Sequence, residues 1–315
     1  MSNVPDKIEA AALIKKKALE LGFSACGIAS VSSLPEDAAM LRQWLANGYN
    51  GRMAYLANHF DKRTNPALMV ENARSVIVVL LSYAVDEATQ SGKYRIARYA
   101  KGDDYHLVVK QYLAELQRYI ENEITPLTSV RIFCDSAPVL ERRWAQRAGL
   151  GFIGTNRCLI HPDFGSFCFI GELIVDADLE PDFPHGGDCG NCGHCVKACP
   201  TGAIEPDGTL NASKCISYLT VELKDQVPAP YNSSLKGYVA GCDICQNVCP
   251  WNKNAAAFAS TLWKQTRVPT DDAFWENMTP EDFDTHFRNS ALYRTGYKKI
   301  KQNIDIVSGS AAGRR

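Results

Sequence analysis

Cys189-Gly-Asn-Cys192-Gly-His-Cys195-Val-Lys-Ala-Cys199-Pro200 is the stretch that decides how the rest of the chain is read. A lone Cys215 follows, and then Cys242-Asp-Ile-Cys245-Gln-Asn-Val-Cys249-Pro250. The first run has the C-x2-C-x2-C-x3-C-P spacing in which three sulfurs surround one iron–sulfur cubane and the fourth ligates a second cluster. A short loop can wrap the first three thiolates around one cluster. The fourth Cys then opens a helical turn and points away, and the Pro fixes the chain direction after it. Eight of the twelve cysteines therefore make two four-cysteine sites. Cys189, Cys192, Cys195 and Cys249 are assigned to one [4Fe–4S] cluster, and Cys199, Cys215, Cys242 and Cys245 to the other. The gap between Cys215 and Cys242 reads as an insertion between the halves of the module, and such insertions usually carry function. C-x2-C pairs also suit tetrahedral zinc. The repeated Cys-Pro endings favour iron and sulfur. Disulfides fit less well, because no export signal accompanies the cysteines.

Composition sets the outer bounds. The 315 residues allow one large domain or two modest ones. Hydrophobic content of 46% and charged content of 22% are those of a soluble globular protein. The net charge of −1 gives no global basic field, so a nucleic-acid partner must be held by a local patch. No apolar run approaches the ~20 residues of a membrane helix. The N-terminus is amphipathic, with Ile14, Ala18 and Leu21 on one face, and resembles neither a signal peptide nor a twin-arginine leader. A cytoplasmic protein is expected, with access to reduced thiols and cluster assembly.

Along the chain, helices are expected over Lys7–Leu21, Pro35–Asn47, Met53–His59, Asp104–Glu123 and Leu140–Gly149, with Gly149 as a C-terminal cap. Strands are expected over Phe23–Ala29, Arg74–Ala84, Val130–Cys134 and Ser166–Asp176, the second buried on both faces. Helices alternating with buried strands predict an α+β fold: an α/β layered domain over 1–180, with a ferredoxin-like two-cluster domain at 181–255. A helical tail, 256–315, is expected to pack on the first domain. Asp182–Asp188, rich in Pro and Gly, marks the boundary.

Outside the cysteines, Phe133-Cys-Asp-Ser-Ala-Pro-Val-Leu-Glu-Arg142 stands out. Asp135 ends a buried strand, where a general acid can sit if its surroundings raise its pKa. Spacing alone favours the plainer role of capping a helix that begins near Ala137. Gly149-Leu-Gly-Phe-Ile-Gly154 approximates GxGxxG, but no strand precedes it, so it reads as a loop bringing backbone close to some other large ligand. The histidines are scattered without a metal-ligand pattern and are taken as structural or surface. Cys26, Cys134, Cys158 and Cys168 have apolar neighbours and read as small core residues.

These pieces together resemble one family, the epoxyqueuosine reductases. The matching residues are Ser75-VIVV, Arg98-Tyr-Ala100 with Gly102 and Asp104-Tyr-His106, Asp135-SAPVLE-Arg142, Ala148-GLGFIGT-Asn156, Gly165-SF and Gly171-ELIV-Asp176. They continue through the first cysteine run with Pro200-TGAI, then Cys215-ISYLTVE-Leu223, Gly241-CDIC-Gln246 and Cys249-PW-Asn252. CISYLTVEL joined to DSAPVLER is far more specific than the cysteine spacing.

The resemblance implies a cobalamin-binding catalytic domain that reduces the epoxide of epoxyqueuosine, in the tRNA anticodon loop, to queuosine. Electrons would pass singly from an external donor through both clusters to base-off cobalamin. Opening the epoxide develops negative charge on oxygen, and the family's proton donor corresponds to Asp135. That reverses the preference for a cap. Arg98, Ser136, Arg142, Asn156 and Ser217 are implied to line the cobalamin or substrate pocket with Asp135. Residues after Cys215 would reach toward cobalamin, and Lys224, Lys236, Arg294, Lys298 and Lys299 would contact phosphates. A monomer without a membrane partner is expected. The chain stops at Arg315, without the C-terminal helical repeats of some members, and carries Arg143-Trp144 after DSAPVLER. Two alternatives stand beside this reading: a relative of the cobamide-dependent reductive dehalogenases, and a ferredoxin-type electron carrier.

Overall fold

The computed structural model describes residues 5–84, 92–265 and 268–309. In chain order its main elements are α1 (Lys7–Glu20), β1 (Ala25–Ser30), α2 (Pro35–Ala46), α3 (Phe60–Thr64), β2 (Ser75–Ser82), β3 (Arg95–Ile96), α4 (Tyr105–Tyr119), β4 (Val130–Phe133), α5 (Glu141–Arg147), β5 (Phe152–Ile153), β6 (Leu159–Ile160) and β7 (Cys168–Val175). Then come α6 (His194–Ala198), β8 (Tyr238–Ala240), α7 (Ile244–Asn247), α8 (Asp272–Asn277), α9 (Pro280–Phe287) and α10 (Tyr297–Ser308).

The principal sheet has the order β1-β2-β7-β4, and every pairing is antiparallel. All of β2 is buried, as its unbroken apolar run requires. Side chains alternate between two cores along each strand. Ile77, Val79 and Leu81 join Leu173 and Val175 under α1 and α4. Val76, Val78 and Leu80 join Ile174 under Trp144 and Ala145 of α5. Helices thus cover both faces of an antiparallel sheet, the layered α+β arrangement expected from the sequence. Gly171 lets α4 approach closely: a Cβ there would lie 2.4 Å from Val109 Cγ1 and 2.9 Å from Leu113 Cδ1.

Two helix expectations need correction. Met53–His59 is not one helix but a single 3-10 turn, Ala54–Leu56, followed by α3. His59 interrupts it in a left-handed conformation at φ 54°, which breaks a right-handed helix. The helix after Pro138 starts at Glu141, with Leu140 as an N-cap that makes no side-chain bond, so Asp135 caps nothing. At the other end of α5, Gly149 has φ +76° and its N–H donates to Gln146 O at 3.1 Å, closing the helix as expected.

The short helices α6 and α7 pack together, and each is followed by its Cys-Pro pair. Aromatic residues of the last helices, among them Trp275, Phe283 and Phe287, share a core with Tyr94, Ile96, Val239 and Ala240. Parallel pairing of β3 with β8 joins the same two segments. In α10, Asn303 Nδ2 donates to Thr220 O and Val239 O, both at 2.8 Å, and Ile306 packs with Ile216 and Leu219.

Candidate active site

Thiols gather in the two groups that the spacing assigns. Cys189, Cys192, Cys195 and Cys249 ring a small cavity of about 50 Å³. Burial pushes the Cys249 thiol up, and the nearby Cys189, Cys192 and Cys195 add to the rise. In the other group, burial, with Cys215 and Cys199 close by, pushes Cys242 up to about 12. Cys245 is raised further by burial and by Cys158, Cys242 and Cys215. Clustered buried thiols that resist ionisation alone suit bound iron, whose positive charge deprotonates a coordinating thiol. Backbone N–H groups already aim at sulfur, Thr155 at Cys189 Sγ (3.4 Å) and Ala203 at Cys199 Sγ (3.3 Å), as they do around iron–sulfur clusters. Among the described residues no three His, Cys, Asp or Glu side chains converge as a single ion requires; the first four thiols ring a space instead.

From Cys215 the chain runs into a π-helical turn, Tyr218–Glu222. Thr220 anchors it: its hydroxyl donates to Ile216 O at 2.7 Å and accepts from Gly241 N–H at 3.0 Å. The residues beyond, Val221, Glu222 and Lys224, form part of the wall of a second cavity. One short segment therefore has a cluster thiol at one end and a cavity wall at the other.

That cavity has a volume of about 1370 Å³. Small-molecule pockets span ~300–1,000 Å³, so this space suits a larger group. Trp44, Tyr55, Tyr99, Tyr105 and Phe169 give it aromatic walls, and Asp135, Ser136 and Arg142 stand on its rim. The other predicted pocket residues lie elsewhere. Asn156 lines the small cysteine cavity. Arg98 is buried over the Phe167 ring at 4.1 Å and donates to Asn247 Oδ1 at 2.5 Å. Ser217 lies beside Cys215, and its backbone N–H donates to that thiol. Among the candidate phosphate contacts, Lys224 and Arg294 line the cavity, and Lys236 and Lys298 are exposed. Lys299 is buried, donates to Asp225 O at 2.9 Å, and is lowered to about 8 by burial, so it cannot serve as a surface contact.

Asp135 stands at the end of β4 in a left-handed conformation, φ +56°, with 57% of its side chain accessible toward the cavity. Tyr105 Oη donates to its Oδ2, and His106 Nε2 lies 3.3 Å from the same oxygen. The other ring nitrogen of His106, Nδ1, is 2.6 Å from Asp104 Oδ1, and Asp104 pairs with Arg294 at 3.2 Å. Burial would raise the Asp135 carboxyl, but the His106 and Tyr105 hydrogen bonds outweigh it and hold the pKa below the usual carboxylate range. Burial would lower His106, yet Asp104 and Asp135 hold its pKa above the ordinary imidazole value. Tyr105, His106 and Glu141 were not marked as site residues by the sequence. Their signal was the Asp104-Tyr-His106 match and the Glu inside DSAPVLER.

Residues 188–252 match the family described as 4Fe-4S double cluster binding domain, and residues 63–136 the one described as Epoxyqueuosine reductase QueG, DUF1730. An epoxyqueuosine reductase of Cyclobacterium marinum is 44% identical over 95% of this chain and 97% of its own. The chain is also similar to a crystal structure of epoxyqueuosine reductase with a tRNA-Tyr epoxyqueuosine-modified stem loop, at TM-score 0.83 and 26% identity, covering 94% of this chain and 80% of the other. A Bacillus subtilis epoxyqueuosine reductase, solved with its catalytic aspartate loop swung out of the active site, matches at TM-score 0.83 and 27% identity over the same shares. With two thiol groups, an acid-bearing cavity and near full-length identity to curated members, this chain belongs to the epoxyqueuosine reductase family.

Proposed function

We propose that this protein reduces epoxyqueuosine in the anticodon loop of tRNA to queuosine. The eight cysteines would hold two [4Fe–4S] clusters as the source of electrons, the residues of the large cavity would hold cobalamin, and Asp135 delivers the proton. The observation that carries this reading is the cavity itself, lined both by Asp135 and by the segment leading from Cys215. Bound there, cobalamin would supply the electrons that break the epoxide C–O bond. Ser136 and Arg142 line the cavity and would hold its polar side groups, and the aromatic walls would exclude water.

The protein's own part is to manage protons. Reduction consumes two electrons and two protons, and the epoxide oxygen leaves as water. Both ring nitrogens of His106 face carboxylate oxygens, so the imidazolium satisfies both. As negative charge develops on the epoxide oxygen, the proton on His106 Nε2 moves to Asp135, which rests as the carboxylate, and from its carboxyl to that oxygen. Lys224 and Arg294 at the cavity, with exposed Lys236 and Lys298, hold the tRNA backbone. The relative solved with a modified stem loop supports this substrate. An external single-electron donor feeds a cytoplasmic monomer; among the described residues no helix is long and apolar enough to cross a membrane.

The test is anaerobic. Reconstituted protein, cobalamin and a strong reductant are incubated with tRNA carrying epoxyqueuosine, and the digested nucleosides are weighed by mass spectrometry. Cobalamin-dependent loss of one oxygen is expected. No conversion by protein carrying both clusters and cobalamin would overturn the substrate assignment and direct the search to a dehalogenase-like substrate.

A further inference from the structure

The loop of the β5–β6 hairpin, residues 154–158, reaches both cavities. Arg157 lines the large one, and Thr155 and Asn156 line the small one ringed by Cys189, Cys192, Cys195 and Cys249. Asn156 closes the turn of this loop. Its Oδ1 accepts the backbone N–H of Cys158 at 3.2 Å, while Gly154 N–H donates to Cys158 O at 2.9 Å and Arg157 N–H to Gly154 O at 2.8 Å. A side-chain oxygen bonded two residues on is the ordinary turn role of Asn, and Asp would serve it equally. That role leaves the other half of the amide unexplained. Asn156 is only 6% exposed, and its Nδ2 has no hydrogen-bond partner among the described residues. Burying amide N–H groups without an acceptor is costly, and in folded proteins they nearly always find one. With Oδ1 held by a donor the amide cannot turn over, since Nδ2 would then face another N–H.

The acceptors that the small cavity offers are sulfur. Thr155 N–H, one residue before Asn156, donates to Cys189 Sγ at 3.4 Å. The point where a Cβ on Gly154 would stand lies 3.0 Å from Asn156 Oδ1 and 3.3 Å from Cys189 Sγ, so amide and thiol flank the same residue. Among the described residues no carboxylate lines this cavity, and its His194 is exposed and has water to bond. We propose that Asn156 Nδ2 donates a hydrogen bond to a sulfur of the cluster held by Cys189, Cys192, Cys195 and Cys249, and thereby raises the reduction potential of that cluster. The proposal rests on the reading of those four thiols as cluster ligands. Uptake of one electron from the external donor, with no bond made or broken, leaves more negative charge on the sulfurs. A donor fixed beside them stabilises the reduced form more than the oxidised one, and hydrogen bonds to the sulfurs are among the groups that set cluster potentials. Asn156 then acts on the supply of electrons, away from the pocket that the family resemblance implied for it.

The experiment uses the full chain with its clusters and reads their potentials by electron paramagnetic resonance during an anaerobic redox titration. Asn156→Leu removes the donor at similar volume. The ratio of oxidised to reduced cluster at a fixed potential should rise about tenfold, a fall of about 59 mV for a one-electron couple. The other cluster should keep its wild-type potential and serves as the internal control. Asn156→Asp keeps the acceptor for the Cys158 N–H but exchanges the donor for a negative charge. A residue needed only for the turn would leave this variant at the wild-type potential, whereas the proposal has it fall at least as far as Asn156→Leu. Because the turn is retained, the same variant guards against misfolding of the first. Wild-type potentials in both variants at full iron content would overturn the proposal, as would equal shifts of both clusters in Asn156→Leu. If iron analysis of the wild-type protein shows no cluster on the four thiols, the ligand reading falls and the proposal with it.

Discussion

Tyr105 and His106 both reach the Asp135 carboxyl, and Asp104 holds His106 from its other ring nitrogen, which concentrates the acid chemistry on Asp135. Asp135→Asn keeps the shape and removes the carboxyl that takes and passes on the proton. Turnover should fall by about 10²-fold or more, while iron and cobalamin content stay unchanged; wild-type turnover would remove Asp135 from the mechanism. His106→Gln should lower turnover by about 10²-fold as well, measured as single-turnover conversion at neutral pH. The wild-type profile should be bell-shaped. Asp135 and Asp104 have lowered values, so their anionic partnership with His106 is lost as pH falls; the raised His106 loses its proton as pH rises. Asp135 was legible in the sequence through its motif. His106 was not, because one of its partners comes from a strand end far along the chain and only the fold brings them together.

The elements were most legible where burial dictated the pattern. β2 and β7 are apolar runs with both faces covered, and the sequence placed both within two residues of their observed ends. Met53–His59 misled because its apolar residues look periodic while the backbone reverses at His59. The cysteine module depends on which element each thiol ends. Cys199 follows α6 and turns toward the Cys215 and Cys242 group. Cys199→Ser should therefore cost one cluster, leaving about four of eight irons; a full complement by iron assay would show the ligand sets to be wrong. At the α4–β7 contact, Gly171→Ala would place a methyl where Val109 and Leu113 already sit. Destabilisation of about 1–3 kcal/mol is expected from such overpacking, read as a lower denaturant midpoint.

With a net charge of −1, the whole molecule has no global field to draw in a polyanion, so tRNA affinity must come from a few placed cations. Replacing Lys224 and Lys298 together with Ala should weaken tRNA binding and reduce the slope of log affinity against log salt by about two. Lys299→Ala should leave that slope alone and lower stability, since its ammonium is spent on Asp225 O. Net charge and cysteine spacing were plain in the sequence. The closure of the cavity was not, because its walls come from segments far apart in the chain. The clamp of α10 on the turn after Cys215 also fixes an order of events. A chain leaving the ribosome exposes the eight thiols well before residue 303 emerges, and at about 5–20 residues per second the interval lasts seconds. Throughout it the turn after Cys215 lacks the hydrogen bonds from α10 that hold it. That part of the cavity wall is therefore fixed only after every cluster thiol has left the ribosome.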